Sequence, residues 1–193
     1  MTAMPPRMTD THEPRPRRWS IEEYDRLGDL GFFRDQRVEL IDGEILEMSP
    51  VNWPHIVAVK KLDVALTAAF AGIGWTSVQN PVIVPDGEPE PDIAVHPGRL
   101  SDYDKKPTDP PVLVVEVSHM TLKHDLKRKP PIYARADVPE YWVLDLEHRL
   151  LHVFRTPDAS GAKYDLQIQL GPTDRVEPLF ASSASMLVAD LLP

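Results

Sequence analysis

Two carboxylates stand where apolar segments typical of buried strands begin and end. Asp92 follows a proline at the start of residues 91–96, and Glu116 lies in the apolar run 112–118. A carboxylate inside such a run is costly to bury unless it is paired or binds a metal. If the two strands are neighbours, both side chains reach one edge of the sheet, and their hard oxygen ligands suit Mg²⁺ or Mn²⁺. Asp92 alone also fits a turn in the acidic loop 86–90, so the predicted metal site depends mainly on Glu116.

A lysine falls on the apolar face of a predicted helix. The stripe that it joins recurs at steps of four and three residues: Leu122, Leu126, Lys129, Tyr133 and Ala136. Two prolines directly after Lys129 must break or kink this helix. A lysine buried beside carboxylates stays charged and can bind an anion, whereas most lysines extend their ammonium into solvent. The spacing leaves both interpretations open.

Two further acids lie in a predicted β-hairpin. The Asp-Gly pair at 42–43, between the apolar segments 37–41 and 44–48, is a strong signal for a two-residue turn. With that turn, Glu39 and Glu44 share one face of the hairpin with apolar residues. We therefore expect Glu39 to point into the same cleft as the two carboxylates above, with Glu44 as a candidate auxiliary residue.

Two other polar residues are candidate auxiliary residues. His55 stands at the start of a predicted long helix, where capping or packing and a role near the cleft are equally open. Ser118 follows Glu116 by two residues, so it points to the same face of the strand but offers only a neutral hydroxyl. The remaining histidines, at 12, 96, 119, 124, 148 and 152, show no spacing typical of metal ligands, and we interpret them as structural.

A mixed β-sheet would bring these residues together. The middle of the chain has the order α-β-β-β-α-β, in which the runs 112–118 and 140–146 are apolar enough to be central strands. The predicted fold is α/β (α+β), a mixed sheet flanked by helices with an added N-terminal hairpin and C-terminal antiparallel strands. The predicted elements are helices at 21–27 (capped by Ser20 and Glu23, closed by Gly28), 54–72 and 121–136, strands at 37–41, 44–48, 75–84, 91–96, 112–118, 140–146, 150–155 and 164–170, and a short element at 183–192.

Length and composition fit one domain. Of the 193 residues, 42% are hydrophobic, which is enough for a core. Residues 1–18, with four prolines and four arginines, are predicted to form a flexible arm ahead of a single domain at 19–193. The absence of cysteine excludes disulfides and thiolate chemistry. No apolar run reaches membrane-spanning length, so a cytoplasmic location is expected.

The formal charge of −9 is unfavourable for a nucleic-acid binder, since phosphate contacts need lysine and arginine. Solubility, or acidic residues around a cation site, would explain the charge. Outside the arm, the dense basic cluster at 123–129 could bind phosphates locally.

The order of these motifs is similar to that of the PD-(D/E)XK nuclease superfamily. More closely, the chain resembles the bacterial Uma-type family of restriction endonucleases, a domain of unknown function. The resemblance covers about residues 19–192 and is specific as a combination, although each piece is weak alone. The matching stretches are 38–44, Met48-Ser49-Pro50 with His55, 88–95, 114–118, 125–129 leading to 133–136, and 138–145.

The resemblance implies a restriction-endonuclease-like core that hydrolyses phosphodiester bonds with a Mg²⁺- or Mn²⁺-activated water. Asp92, Glu116 and the backbone carbonyl of Val117 would hold the metal, and Glu39 would be an auxiliary acid. Lys129 would act near the attacking water or the scissile phosphate.

The superfamily's lysine normally stands two residues after the glutamate, where this chain has Ser118. The resemblance therefore implies that Lys129 replaces it from the following helix.

The implied partner is nucleic acid, with DNA expected before RNA, and a homodimer through the C-terminal edge strands is expected by analogy. A second hypothesis is a non-catalytic binding or assembly module that retains the nuclease fold. Glu116 within an apolar strand favours the enzyme, and the acidic charge favours the module.

Overall fold

The computed structural model describes residues 15–104 and 107–193. The predicted arm at 1–18 therefore lies mainly outside the described residues, and its last four residues are exposed and belong to no helix or strand. Within the described part of the chain, no helix is both long and apolar enough to cross a membrane.

A six-stranded mixed sheet forms the centre of the protein. Its strands are β3 (Gly74–Val78), β4 (Ile93–Pro97), β5 (Leu113–Ser118), β6 (Glu140–Asp145), β7 (Leu150–Asp158) and β8 (Lys163–Leu170), and they lie side by side in this order. Only β5 and β6 run parallel; the other four neighbouring pairs in this sheet are antiparallel. The predicted mixed sheet flanked by helices is confirmed.

Each face of the sheet carries its own apolar core. Helix α2 (Trp53–Ala69) covers one face, where its inward residues pack on β4, β5 and β6 together with the C-terminal helix α5 (Val188–Leu191). The other face is covered by α4 (Lys129–Arg135), whose Ile132 and Tyr133 pack against β5 and β6. Because β5 and β6 are buried on both faces, their sequences are apolar without alternation.

Helix α1 (Ile21–Asp29) begins at the predicted capping box. The Glu23 backbone N–H donates to the Ser20 hydroxyl, and the Ser20 N–H donates to the Glu23 carboxylate, each at 3.2 Å. The prediction that Gly28 closes the helix was wrong, because the left-handed residue that follows the helix is Gly31, at φ 82°.

The hairpin of β1 (Val38–Ile41) and β2 (Glu44–Glu47) has the predicted register, with Glu39 opposite Leu46. Its turn residues both have positive φ, 49° at Asp42 and 72° at Gly43, as a type I′ turn requires.

The strand predicted at 75–84 was wrong beyond Val78. Gln79 adopts a positive φ of 51°, and the chain then leaves the sheet and crosses to β1, where the Glu88 N–H donates to the Leu40 carbonyl at 2.7 Å. Val82 and Val84 are buried against the α4 side of the sheet. Their apolar side chains suggested a strand, but they belong to a loop that covers the core.

The helical stretch at 121–136 is broken, as its two prolines predicted. Helix α3 (Leu122–Lys127) ends at Arg128, and α4 starts with Lys129. After β8 the chain adds a small hairpin of β9 (Arg175–Val176) and β10 (Met186–Leu187) before α5.

Candidate active site

The strands that carry Asp92 and Glu116 are adjacent, as predicted. Strands β4 and β5 pair antiparallel with Ile93 opposite Val115, so Asp92, one residue before β4, lies beside Glu116. Directly opposed residues in an antiparallel pair point to the same face. The Val117 N–H donates to Asp92 Oδ2 at 2.8 Å and fixes the aspartate across the end of this strand pair.

Both carboxylates line a small cleft between the hairpin, the start of α2 and helices α3 and α4. It encloses about 80 Å³, room for a cation with a few waters at roughly 10–15 Å³ each on the same measure. The lining residues are Arg37, Glu39, Met48, Ser49, Pro50, Val51, Asn52, His55, Glu90, Asp92, Glu116, Val117, His119, Met120, Thr121, Asp125 and Lys129.

Asp92 is held by three donors. Besides Val117, the His55 ring contacts Oδ2 through Nε2 at 3.0 Å, and the Gln79 amide donates to Oδ1 at 3.2 Å. Burial raises the pKa of Asp92, but the contact with His55 and the Val117 N–H outweigh it, so the pKa is lowered. Asp92 is therefore an anion at neutral pH.

His55 makes contacts that fit both of the interpretations that the sequence left open. Its backbone N–H is capped by the Asn52 side chain at 3.1 Å, while its ring contacts Asp92. Its buried Nδ1 has no hydrogen-bond partner among the residues that the structure describes.

Lys129 bridges two glutamates from different strands. Its Nζ lies 2.7 Å from Oε1 of Glu116 and 3.4 Å from Oε2 of Glu39, and its side chain is only 2% exposed. Burial lowers the pKa of Lys129, but Glu116 and Glu39 outweigh it, so the pKa is raised and the ammonium stays charged. Lys129 therefore faces the cleft and does not extend into solvent.

Glu116 accepts a second hydrogen bond on the same oxygen, from the Tyr133 hydroxyl at 3.1 Å. Burial raises the pKa of Glu116 well above its ordinary value, although Lys129 acts in the opposite direction. Burial likewise raises the pKa of Glu39. Glu39 Oε2, which faces Lys129, has no hydrogen bond among the described residues.

Acidic groups outnumber cations around the ammonium. One lysine faces Glu39 and Glu116, and the buried Asp125 adds a repulsive charge that raises the pKa of both. An additional cation in the cleft would relieve this repulsion.

Two predicted auxiliary residues are not brought into the cleft. Glu44 shares a hairpin face with Glu39, but it lies at the exposed turn end and pairs with Arg128 at 2.6 Å. Ser118 is buried and does not line the cleft, although its hydroxyl lies 3.4 Å from that of Thr121, which does.

The sequence interpretation missed three residues of this network. Asp125 and Tyr133 stand four residues before and four after Lys129, so helical spacing could have found both. Gln79 gave no signal, because it was assigned to the interior of a strand.

The oxygen donors of the cleft suit a Mg²⁺ ion that keeps part of its water shell. The described residues contain no cluster of three or more His, Cys, Asp or Glu side chains that could hold a metal by themselves. Mg²⁺ is commonly held by only one or two carboxylates together with water and substrate phosphates. Asp92 and Glu116 match that pattern. Because the N–H and C=O of one strand residue point to the same side, the Val117 carbonyl faces the Asp92 side as well.

Among solved structures, the fold is similar to a crystal structure from Anabaena variabilis ATCC 29413, described as "a putative nuclease belonging to DUF820". The match has a TM-score of 0.70 with 16% sequence identity, over 89% of this chain and 96% of that one. At this identity the likeness shows the fold. No curated protein matches the sequence. The family model Uma2, described as "Putative restriction endonuclease", matches residues 21–189. The chain therefore belongs to the Uma2 family.

Proposed function

We propose that this protein is a metal-dependent nucleic-acid phosphodiesterase that cuts internal phosphodiester bonds with Mg²⁺ or Mn²⁺. One observation carries the proposal: Lys129 is buried in contact with Glu116, in the same small cleft as the ionised Asp92. Carboxylate ligands for a divalent cation and a fixed positive charge are what phosphoryl transfer needs. Family membership and the nuclease-like fold support the same class of activity.

Asp92, Glu116 and the Val117 carbonyl would hold the metal, and Glu39 would add negative charge beside it. The ion, when bound, would activate a water and stabilise the charge that develops on the phosphate oxygens. The Val117 N–H and the His55 ring keep the Asp92 carboxylate in one orientation.

Lys129 would hold its positive charge beside the phosphate as negative charge develops there. Because its raised pKa keeps it protonated, it stabilises charge and does not act as a base. Tyr133 donates to the same Glu116 oxygen and so restricts that carboxylate.

A non-catalytic binding module is the second candidate, and one observation favours it. Lys129 already pairs with both glutamates, so the cleft is partly neutralised by the protein itself. A protein that had lost catalysis could keep this arrangement for stability alone.

Cleavage of plasmid DNA and of DNA and RNA oligonucleotides, with Mn²⁺ or with EDTA, tests the proposal. We expect metal-dependent cleavage of DNA by the wild type, complete loss in Glu116→Gln, and no loss in Glu44→Gln. Glu44 is the matched control because it is an exposed acid outside the cleft. No cleavage by the wild type of any substrate would leave the binding module as the better account.

For assembly, we propose a symmetric dimer that pairs through β8, which lies at one edge of the central sheet. Sedimentation at micromolar concentration should give the mass of two chains. A single species with the mass of one chain would contradict this.

A further inference from the structure

A second groove runs from the cleft along helix α3, and we call it the α3 groove. It shares four residues with the cleft: Met48, Ser49, Met120 and Thr121. The α3 groove therefore directly adjoins the cleft that Asp92 and Glu116 line.

The α3 groove is basic, although the whole chain is acidic. Lys123, Lys127 and Arg128 line it with His124, and Glu47 is its one acidic residue. Arg128 is paired with Glu44 at 2.6 Å.

Lys123 and Lys127 are both exposed, and neither has an ion-pair partner among residues 15–104 and 107–193. The other lysines in this part of the chain all have partners: Lys60 with Asp63, Lys61 with the Leu192 carbonyl, Lys129 with Glu116, and Lys163 with Asp165. Two unpaired cations side by side on a protein of net charge −9 point to an anion outside the chain.

The spacing of the two lysines suits a polyanion. Residues four apart on a helix have Cβ atoms about 5–6 Å apart on one face, which is comparable with the spacing of successive phosphates along one nucleic-acid strand. Met120 is 84% exposed and stands with Met48 between these lysines and the cleft. Thioether side chains make favourable contacts with aromatic rings.

We propose that the α3 groove binds one strand of the substrate next to the bond that is cut, with Lys123 and Lys127 contacting two successive phosphates. The proposal rests on the proposed function for the identity of the cleft, but binding in the α3 groove can be measured without cleavage. The favoured ligand is a single strand, because both unpaired lysines stand on one helix at a spacing that suits one backbone, and the exposed Met120 beside them suits a base that is not stacked in a duplex.

Fluorescence anisotropy with a short labelled DNA strand, in EDTA, tests the proposal over a range of salt concentrations. We expect Lys123→Ala/Lys127→Ala to weaken binding about tenfold. The slope of log affinity against log salt should fall by about 1.4, at about 0.7 per lost phosphate contact on a single strand. The matched control is Lys60→Ala/Lys163→Ala, which removes the same charge from exposed lysines elsewhere and should change neither value.

Removal of the groove's acid gives a test in the opposite direction. Glu47→Gln should tighten binding two- to threefold, because it takes away the repulsion of the phosphates. The same titrations with a labelled RNA strand and a labelled DNA duplex show which kind of nucleic acid the groove binds most tightly. A duplex that binds more tightly than either single strand would overturn the choice of ligand.

Equal weakening of DNA binding by the two double variants would contradict binding in the α3 groove, since it would show only an effect of net charge. Unchanged binding in Lys123→Ala/Lys127→Ala, with metal-dependent cleavage intact, would overturn the groove and leave the proposed function standing. Lysine-dependent binding without any cleavage by the wild type would instead leave the α3 groove standing and contradict the proposed function.

Discussion

Two buried strand glutamates of this protein differ in how their charge is satisfied. Glu140 of β6 accepts from the Trp142 ring, the Arg155 guanidinium and the Leu179 N–H, so the protein satisfies it fully. Glu116 of β5 depends on Lys129 and Tyr133, and it shares Lys129 with Glu39. Burial alone therefore does not set Glu116 apart from Glu140; the difference is that acids outnumber cations around Glu116.

Removal of the shared cation should destabilise the fold. We expect Lys129→Met to lower the free energy of unfolding by about 3–5 kcal/mol, because it leaves two buried carboxylates without their cation. Adding Glu116→Gln to that variant should recover part of the loss, since one of the unpaired charges is then gone. Urea denaturation of the single and double variants measures both effects, and a double variant that is no more stable than Lys129→Met would argue against the pairing.

The sequence predicted the positions of Asp92, Glu116 and Glu39 because strand alternation and a two-residue turn fix the direction of a side chain. Helical spacing placed Lys129 on the apolar face but left open whether its ammonium faces the cleft or the solvent, and the family resemblance favoured the cleft. The sequence could not predict that Glu44 would pair with Arg128, since that contact depends on how α3 meets the hairpin. The catalytic roles of Asp92, Glu116, Glu39 and Lys129 stay predictions.

At the scale of elements, the cleft depends on a loop whose first part, residues 79–84, the sequence presented as a strand. Residues 79–92 leave β3, cross β1 and return to β4, and their hydrogen bond to Leu40 holds the strand that carries Glu39. Patterns of apolar residues cannot separate such a buried loop from a strand, because both cover a core.

This crossing requires a glycine at position 87. A Cβ built there would lie 2.3 Å from the Leu40 carbonyl oxygen, so Gly87→Ala must push β1 and the loop apart. We expect a loss of about 2–3 kcal/mol in thermal or urea unfolding. Gly28→Ala is the matched control, because it lies in helix α1 with nothing within 4 Å of its Cβ, and it should gain about 0.5–1 kcal/mol. Equal effects of the two substitutions would contradict the close approach.

At the scale of the whole molecule, several histidines outside the cleft lining are wholly or partly buried. Burial lowers the pKa of His96, His124 and His152. The folded protein therefore binds fewer protons than the unfolded chain just below the ordinary histidine pKa of about 6.5. Stability should be full above that pH and fall as the solution is acidified towards the lowered pKa values.

His96 provides a specific test of this pH dependence. Its ring stacks on Trp75 at 4.7 Å, and its Nδ1 has no hydrogen-bond partner in the described residues. His96→Phe keeps a stacked ring but cannot take up a proton. Between about pH 7 and pH 5 the variant should lose less unfolding free energy than the wild type. Parallel curves for the two proteins would show that His96 does not contribute.

The central claim is that the cleft of Asp92 and Glu116 binds a divalent cation, and calorimetric titration with Mn²⁺ tests it most directly. We expect one Mn²⁺ per wild-type chain and at least about tenfold weaker binding in Asp92→Asn. Asp86→Asn, which changes an exposed aspartate in the neighbouring loop, should bind as the wild type does. Equal Mn²⁺ affinity of the wild type and Asp92→Asn, or no binding by the wild type, would contradict the claim.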